Sequence, residues 1–152
     1  MDAPWRIRRA AVADAERLLP IERRCFSDPW SVVAFEEILG SPLGLGCVAE
    51  RGDEITGYLV ARAVAGEGEI LNLAVAPEAR RKGLGGRLLE AGIGALAAAG
   101  AHAVFLEVRE QNVAAQQLYQ RRGFRPVGLR ARYYRNPVED AIVLRLALSR
   151  GA

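Results

Sequence analysis

The densest chemistry in this sequence lies in one basic, glycine-rich turn, Arg80-Arg81-Lys82-Gly83-Leu84-Gly85-Gly86. Glycines remove side chains from the path of a ligand, so backbone N–H groups can close on it. The first turn of a following helix adds unsatisfied donors and the positive end of a dipole. Three cations beside such donors suit an anion, a phosphate or pyrophosphate; the residues alone also allow a solvated basic turn ending in a flexible glycine cap. A Walker A loop is excluded because no Lys-Ser/Thr pair follows the last glycine. A dinucleotide fingerprint fits no better: Arg80, Arg81 and Lys82 separate the glycines from the preceding strand, and Leu88 stands where the third glycine belongs.

Two further residues have types suited to proton transfer. Glu107 lies near the end of an apolar run between Leu106 and Val108, and is read either as a base or as an edge carboxylate paired with Arg109 or Arg125. Tyr119 follows Asn112 by two helical turns, which carries it roughly 10 Å along the axis. A phenol with pKa near ~10 stays protonated at neutral pH and can donate to a less basic anion; the alternative is a tyrosine filling the core edge.

These groups need a scaffold, and the hydrophobic pattern supplies one. Residues 6–10 alternate weakly, as a first edge strand does. Residues 14–26 carry a mainly helical stripe that Pro20 is expected to kink or divide. Ser31 is placed to cap a second helix striped by Val32, Phe35, Ile38 and Leu39. Residues 45–50, 55–64 and 70–75 read as three strands joined by short turns, an antiparallel meander. A helix over residues 86–99 then crosses to a strand at 103–108, which should run parallel to the central one. Asn112 caps a helix that Gly123 ends, and residues 124–132 and 141–148 form the last two strands around a loop from Tyr133 to Asp140.

At 152 residues, 51% hydrophobic and 26% charged, the chain suits one globular domain over residues 1–152. Its net charge of +3 is spread along the sequence, which favours phosphate ligands over direct nucleic-acid binding. Cys25, Cys47 and the single His102 make neither a disulfide framework nor a His-Cys metal site. The opening MDAPWRIRRA lacks a signal-peptide core, and no apolar run approaches the ~20 residues that span a bilayer. The expected setting is cytoplasmic, without membrane attachment.

The pattern R-x-x-G-x-G from Arg80 to Gly85, after a strand ending V-A-P, resembles the acyl-CoA pyrophosphate loop of the GCN5-related N-acetyltransferase family. FLEVREQNVAAQQLYQRRGF, residues 105–124, and RYYRNPVEDA, residues 132–141, resemble the RimI-type ribosomal-protein N-terminal alanine acetyltransferases within it. The resemblance implies an α/β (α+β) fold, with a mixed, mostly antiparallel sheet of six or seven strands and about four helices.

It also implies acetyl-CoA as co-substrate and no metal. Backbone groups of Leu73, Ala74 and Val75 would hold the pantetheine arm, with an N–H near Ala74 or Val75 at a bulge polarising the thioester. Arg80, Arg81, Lys82, Gly83, Leu84, Gly85 and Gly86 would cradle the pyrophosphate, and Asn112 would touch the pantetheine or phosphate arm. Glu107 would be the general base, directly or through water, since an α-amine with pKa near ~8 is mostly ammonium at neutrality. Tyr119 would protonate the departing thiolate. The match sets His102 at the far end of its strand.

For the acceptor, the resemblance points to Trp30 and Glu36 on one wall and to Tyr133, Tyr134 and Asp140 on the other. The bland readings are that Trp30 and Phe35 pack under the sheet and that Asp140 orders the turn. The implied partner is the N-terminal alanine of a small-subunit ribosomal protein. The short loop containing Arg135 departs from the pattern, which keeps lysine side chains and small-molecule amines open as acceptors. A silent acetyl-CoA sensor would keep the glycine turn but would not need both Glu107 and Tyr119, and an acyl-enzyme through either cysteine lacks a His-Asp partner.

Overall fold

The computed structural model describes residues 4–148. In chain order the elements are β1 (Arg6–Arg9), α1 (Ala15–Cys25), α2 (Val32–Gly40), β2 (Gly44–Arg51), β3 (Glu54–Val64), β4 (Glu67–Val75), α3 (Leu84–Ala98), β5 (Ala103–Arg109), α4 (Val113–Arg122), β6 (Arg125–Tyr134) and β7 (Glu139–Ala147). One seven-stranded sheet runs β1-β2-β3-β4-β5-β7-β6, antiparallel except between β4 and β5. This is the mixed sheet that the sequence implies.

Local chemistry sets the ends of the elements. The Ser31 side chain accepts from Ala34 N–H to open α2, and Asn112 accepts from Ala115 N–H to open α4. Gly123, at φ 110°, closes α4 in the left-handed region. The β3–β4 hairpin turns through Ala65 and Gly66, both at positive φ, as a tight two-residue turn requires.

Three expectations are corrected. Pro20 does not divide α1, which is continuous through it. Pro20 is exposed, so the carbonyl deprived of its donor can meet water, while Leu18 and Ile21 on the opposite side are buried and hold the helix down. β6 runs through Tyr133 and Tyr134 rather than stopping at Arg132; the connection to β7 shrinks to residues 135–138. The bulge in β4 is not at Ala74 or Val75: Val60 pairs with Asn72 but Ala61 with Ile70, so Leu71 is the extra residue.

The bulge decides which way the rest of β4 faces. Two successive side chains, Leu71 and Asn72, turn toward α1 and α2, whereas Leu73 and Val75 join the core under α3. β4 pairs with β5 only over Glu67, Gly68 and Glu69 against Ala103, Val104 and Phe105. Beyond that point no ladder joins the strands, and their C-terminal halves stand apart as the two sides of an opening.

The core lies on both faces of the sheet. Leu59, Leu88, Leu96, Leu106 and Leu144 anchor the cluster under α3 and α4. Leu18, Phe35, Tyr58 and Val60 anchor the one under α1 and α2. Trp5 packs against the first cluster, its ring 4.2 Å from the Arg51 guanidinium.

Candidate active site

The open half of β4 forms one side of the site. The Val75 carbonyl accepts from Arg80 Nε at 3.0 Å, so its peptide edge points away from β3. Peptide groups of a strand alternate in direction. Leu73 therefore shares this open edge, and Ala74, whose carbonyl faces Gly57 of β3, does not.

At the end of this edge lies the glycine turn. Gly83, at φ 77°, precedes α3, and no side chain caps the helix. Arg87 is the first residue whose N–H reaches back, to Gly83 O at 3.1 Å, which leaves the N–H groups of Leu84, Gly85 and Gly86 ahead of the helical ladder. A Cβ on Gly83 or Gly86 would meet nothing within 4 Å; the turn is bordered by open space. Leu84 contributes only backbone, its side chain being buried. Arg81 and Lys82 are exposed, while Arg80 is turned back onto Val75 and Cys25 Sγ. A concavity of about 550 Å³ continues from the turn, lined by Gly83, Gly86, Arg87, Leu118, Arg121 and Arg122.

Across the opening, Glu107 projects from the half of β5 that β4 leaves, half-buried and 3.3 Å from Arg130 of β6. Arg130, not Arg109 or Arg125, is its ion-pair partner. Burial holds the Glu107 carboxyl above the usual carboxylate range, with the charge of Glu69 acting the same way and Arg130 opposing both. Tyr119 of α4 is buried with its ring edge on Phe124, centroids 5.8 Å apart, and burial pushes its hydroxyl up to about 12. Tyr134 is raised as well, first by burial, then by Tyr133, Glu107 and Tyr119. Tyr134 is thus the group that feels both Glu107 and Tyr119.

The remaining candidates divide. Asn112 is engaged as the α4 cap at the end of β5 near Arg109. Tyr133 and Tyr134 stack edge to face at 5.0 Å at the tip of β6. Asp140 accepts the Arg132 N–H at 2.8 Å and so orders the hairpin. Trp30 packs on Phe35 at 5.2 Å, and Glu36 is exposed on α2. His102 immediately precedes β5, five residues and so about 16 Å from Glu107 along the strand.

Sequence reasoning missed Glu22. Its side chain is buried in α1 and accepts from Tyr58 Oη, from Asn72 Nδ2 at 2.8 Å and from the Trp30 N–H at 2.9 Å. Burial raises its pKa while these three donors hold it down. The available signal was Asn72, a lone amide inside the apolar run LNLAV: such a group must find a buried partner.

The arrangement can hold an extended ligand along β4 with its anionic part at the start of α3. It offers a carboxylate and a protonated phenol at the reacting end. Among the described residues, no group of three or more His, Cys, Asp or Glu is placed to hold a metal, and no helix is long and apolar enough to cross a membrane.

A model described as "Acetyltransferase (GNAT) family" matches residues 15–124. The N-alpha-acetyltransferase RimI of Mycobacterium tuberculosis is 38% identical over 139 residues, covering 88% of this chain and 86% of that one. The [ribosomal protein bS18]-alanine N-acetyltransferase of Salmonella typhimurium is 36% identical over 132 residues, covering 85% and 88%. The crystal structure of the ribosomal-protein-S18-alanine N-acetyltransferase from Escherichia coli superposes with a TM-score of 0.89 at 30% identity, covering 98% of this chain and 97% of that one.

Proposed function

We propose that this chain, which belongs to the acetyltransferase (GNAT) family, transfers the acetyl group of acetyl-CoA to the α-amine of a protein N-terminus, an alanine at the start of a small-subunit ribosomal protein. That it is an N-acetyltransferase follows from the family; the acceptor is carried by the relatives whose names specify ribosomal protein bS18-alanine. The observation that carries the mechanism is the parting of β4 and β5 beyond Glu69 and Phe105, which sets an unpaired strand edge opposite Glu107.

Acetyl-CoA supplies an activated acetyl thioester, and the residues present fit it. Leu73 and Val75 offer peptide groups to an amide-bearing arm as an added strand would. The N–H groups of Leu84, Gly85 and Gly86, with Arg81 and Lys82, hold a pyrophosphate in the space where Gly83 and Gly86 carry no Cβ. Asn112 caps α4 at the far side of the arm.

Glu107 takes a proton from the incoming ammonium and frees the lone pair for attack. Its position is suited to this: burial and Glu69 raise its basicity above that of an ordinary carboxylate, while Arg130 opposes them. Tyr119 donates a proton to the departing sulfur, having stayed protonated across the working range because burial raises it to about 12. Tyr133 and Tyr134 border the acceptor on the β6–β7 side, and Trp30 stiffens the α1–α2 side by packing rather than contact. Glu36 and Asp140 have lesser claims, the first lying exposed on α2 and the second already engaged with Arg132.

Two substitutions test the assignment. Glu107→Gln and Tyr119→Phe should each lower kcat by about 10²–10⁴ while acetyl-CoA still binds with unaltered affinity. Retained turnover in either variant would remove that residue from the mechanism. A protein that binds acetyl-CoA but turns over no amine before or after substitution would be a sensor instead.

A further inference from the structure

Arg109, the last residue of β5, reaches both loops that flank the opening. One guanidinium nitrogen donates to Glu139 Oε1 at 3.0 Å and to the Pro137 carbonyl at 3.1 Å. Another donates to the Arg135 carbonyl at 2.9 Å and to Ser27 Oγ at 3.4 Å. Its guanidinium carbon lies 4.4 Å from the Tyr134 ring centroid. The side chain is only 25% exposed. Arg135 and Pro137 belong to the β6–β7 connection, Glu139 opens β7, and Ser27 belongs to the link between α1 and α2; no backbone ladder joins that link to the β6–β7 hairpin.

The tip of the β6–β7 connection has little regular structure of its own. Residues 135–138 form no regular structure, and Val138 is 65% exposed. Glu139 is shared between Arg109 and the Gln111 N–H at 2.7 Å, so the same carboxylate fastens the loop to the start of α4. A planar guanidinium is the side chain suited to this post: it can donate to two carbonyls, a carboxylate and a hydroxyl while stacking on an aromatic ring, whereas an ammonium is a compact charge without the fork.

We propose that Arg109 is a positioning residue for the acceptor: it ties the β6–β7 connection to the α1–α2 link and thereby fixes the width of the groove in which the amine approaches Glu107. This rests on the acceptor being a protein α-amine. A fixed width selects for slender N-termini. Without the tie, Tyr134 loses the cation that holds its ring, the two loops move independently, and bulkier or differently angled amines gain access. The hydrogen-bond partners of the Arg109 guanidinium lie outside β4 and the start of α3, so the co-substrate side is left intact.

The test uses the whole chain, with Arg109→Met to retain the aliphatic stem and Arg109→Lys to retain the charge. With acetyl-CoA and an alanine-starting peptide, the Met variant should raise the KM for peptide by about tenfold, the scale of a lost charge-assisted hydrogen bond. The KM for acetyl-CoA should stay within about twofold, and the preference for the α-amine over the lysine of an N-terminally blocked peptide should fall by about fivefold. The Lys variant should not restore the peptide KM, because it recovers the pairing with Glu139 but not the fork. Amide hydrogen exchange without substrates should quicken in residues 27–31 and 134–139 together in the Met variant.

Unchanged exchange in either segment overturns the tie. Quickened exchange with unaltered peptide KM and preference overturns the acceptor role, as does full rescue by lysine. Failure of the α-amine assignment itself is seen separately, in the unsubstituted protein: if that labels neither peptide, the acceptor assignment falls, and this role with it.

Discussion

Glu107 shows how a single residue's chemistry is set by neighbours remote in sequence. Burial raises the pKa of its carboxyl first, the charge of Glu69 acts the same way, and Arg130 lowers it. If the basic form is the active one, kcat falls as pH drops through that pKa. Removing Arg130 withdraws stabilisation of the carboxylate, so Arg130→Gln should move the acidic limb of kcat to higher pH; Glu69→Gln should move it lower. Limbs that stay fixed in both variants would remove Glu107 from the limb. The residue types were legible in sequence: a glutamate in an apolar strand, a tyrosine two turns beyond a cap. The partner was not, because Val127 is bulged out of the β6–β7 ladder and the resulting register brings Arg130, rather than Arg125, beside Glu107. Glu22 was less legible still; in α1 it reads like any helix-surface acid, and its partners Tyr58 and Asn72 lie 36 and 50 residues away.

Among the elements, the start of α3 carries the sharpest expectation. Gly86 lies within the helix, yet a Cβ there would touch nothing. Alanine is favoured over glycine in a helix by about 1 kcal/mol, so Gly86→Ala should leave stability unchanged or raise it slightly, while raising the KM for acetyl-CoA as the methyl intrudes on the anion. A stabilised variant with unaltered acetyl-CoA affinity would show that the glycine serves no ligand. The helix, its glycine opening and the crossover to a parallel β5 were legible because apolar spacing and glycines report directly on local conformation. The bulge at Leu71 was not, since nothing in LNLAV distinguishes an extra residue from a regular strand. Nor was the continuity of α1 through Pro20, which burial of Leu18 and Ile21 decides. The β6 boundary failed for a similar reason: Tyr133 and Tyr134 resemble loop residues in the motif but continue the strand, Tyr134 pairing with Glu139 after an irregular stretch.

At the scale of the molecule, β4 and β5 part over their C-terminal halves, and an ion-pair cluster ties the β1 edge of the sheet to the start of α1. Arg8 of β1 donates to both Asp14 oxygens, at 2.9 and 3.0 Å, and to Glu50 of β2 at 3.0 Å. Arg8 first, then the Ala11 N–H, hold the Asp14 carboxyl below its ordinary value against the opposing effect of burial. A depressed folded-state pKa gives stability that is present above the unfolded value near 3.8 and lost as pH falls through the folded one. Asp14→Asn should therefore cost about 1–3 kcal/mol at neutral pH and flatten the acid limb of the stability curve, as urea titrations across pH would read. An unchanged acid limb would remove Asp14 from it. The overall topology was legible from the order of strands and turns; the opening was not, because it depends on where a ladder stops. The central claim, transfer to an N-terminal α-amine, is tested most directly by mass spectrometry of the protein with acetyl-CoA and two peptides: one beginning with a free alanine, and the same peptide N-terminally blocked but bearing lysine. Acetyl on the free α-amine alone is the expected result; acetyl on the blocked lysine peptide, or on neither, would contradict it.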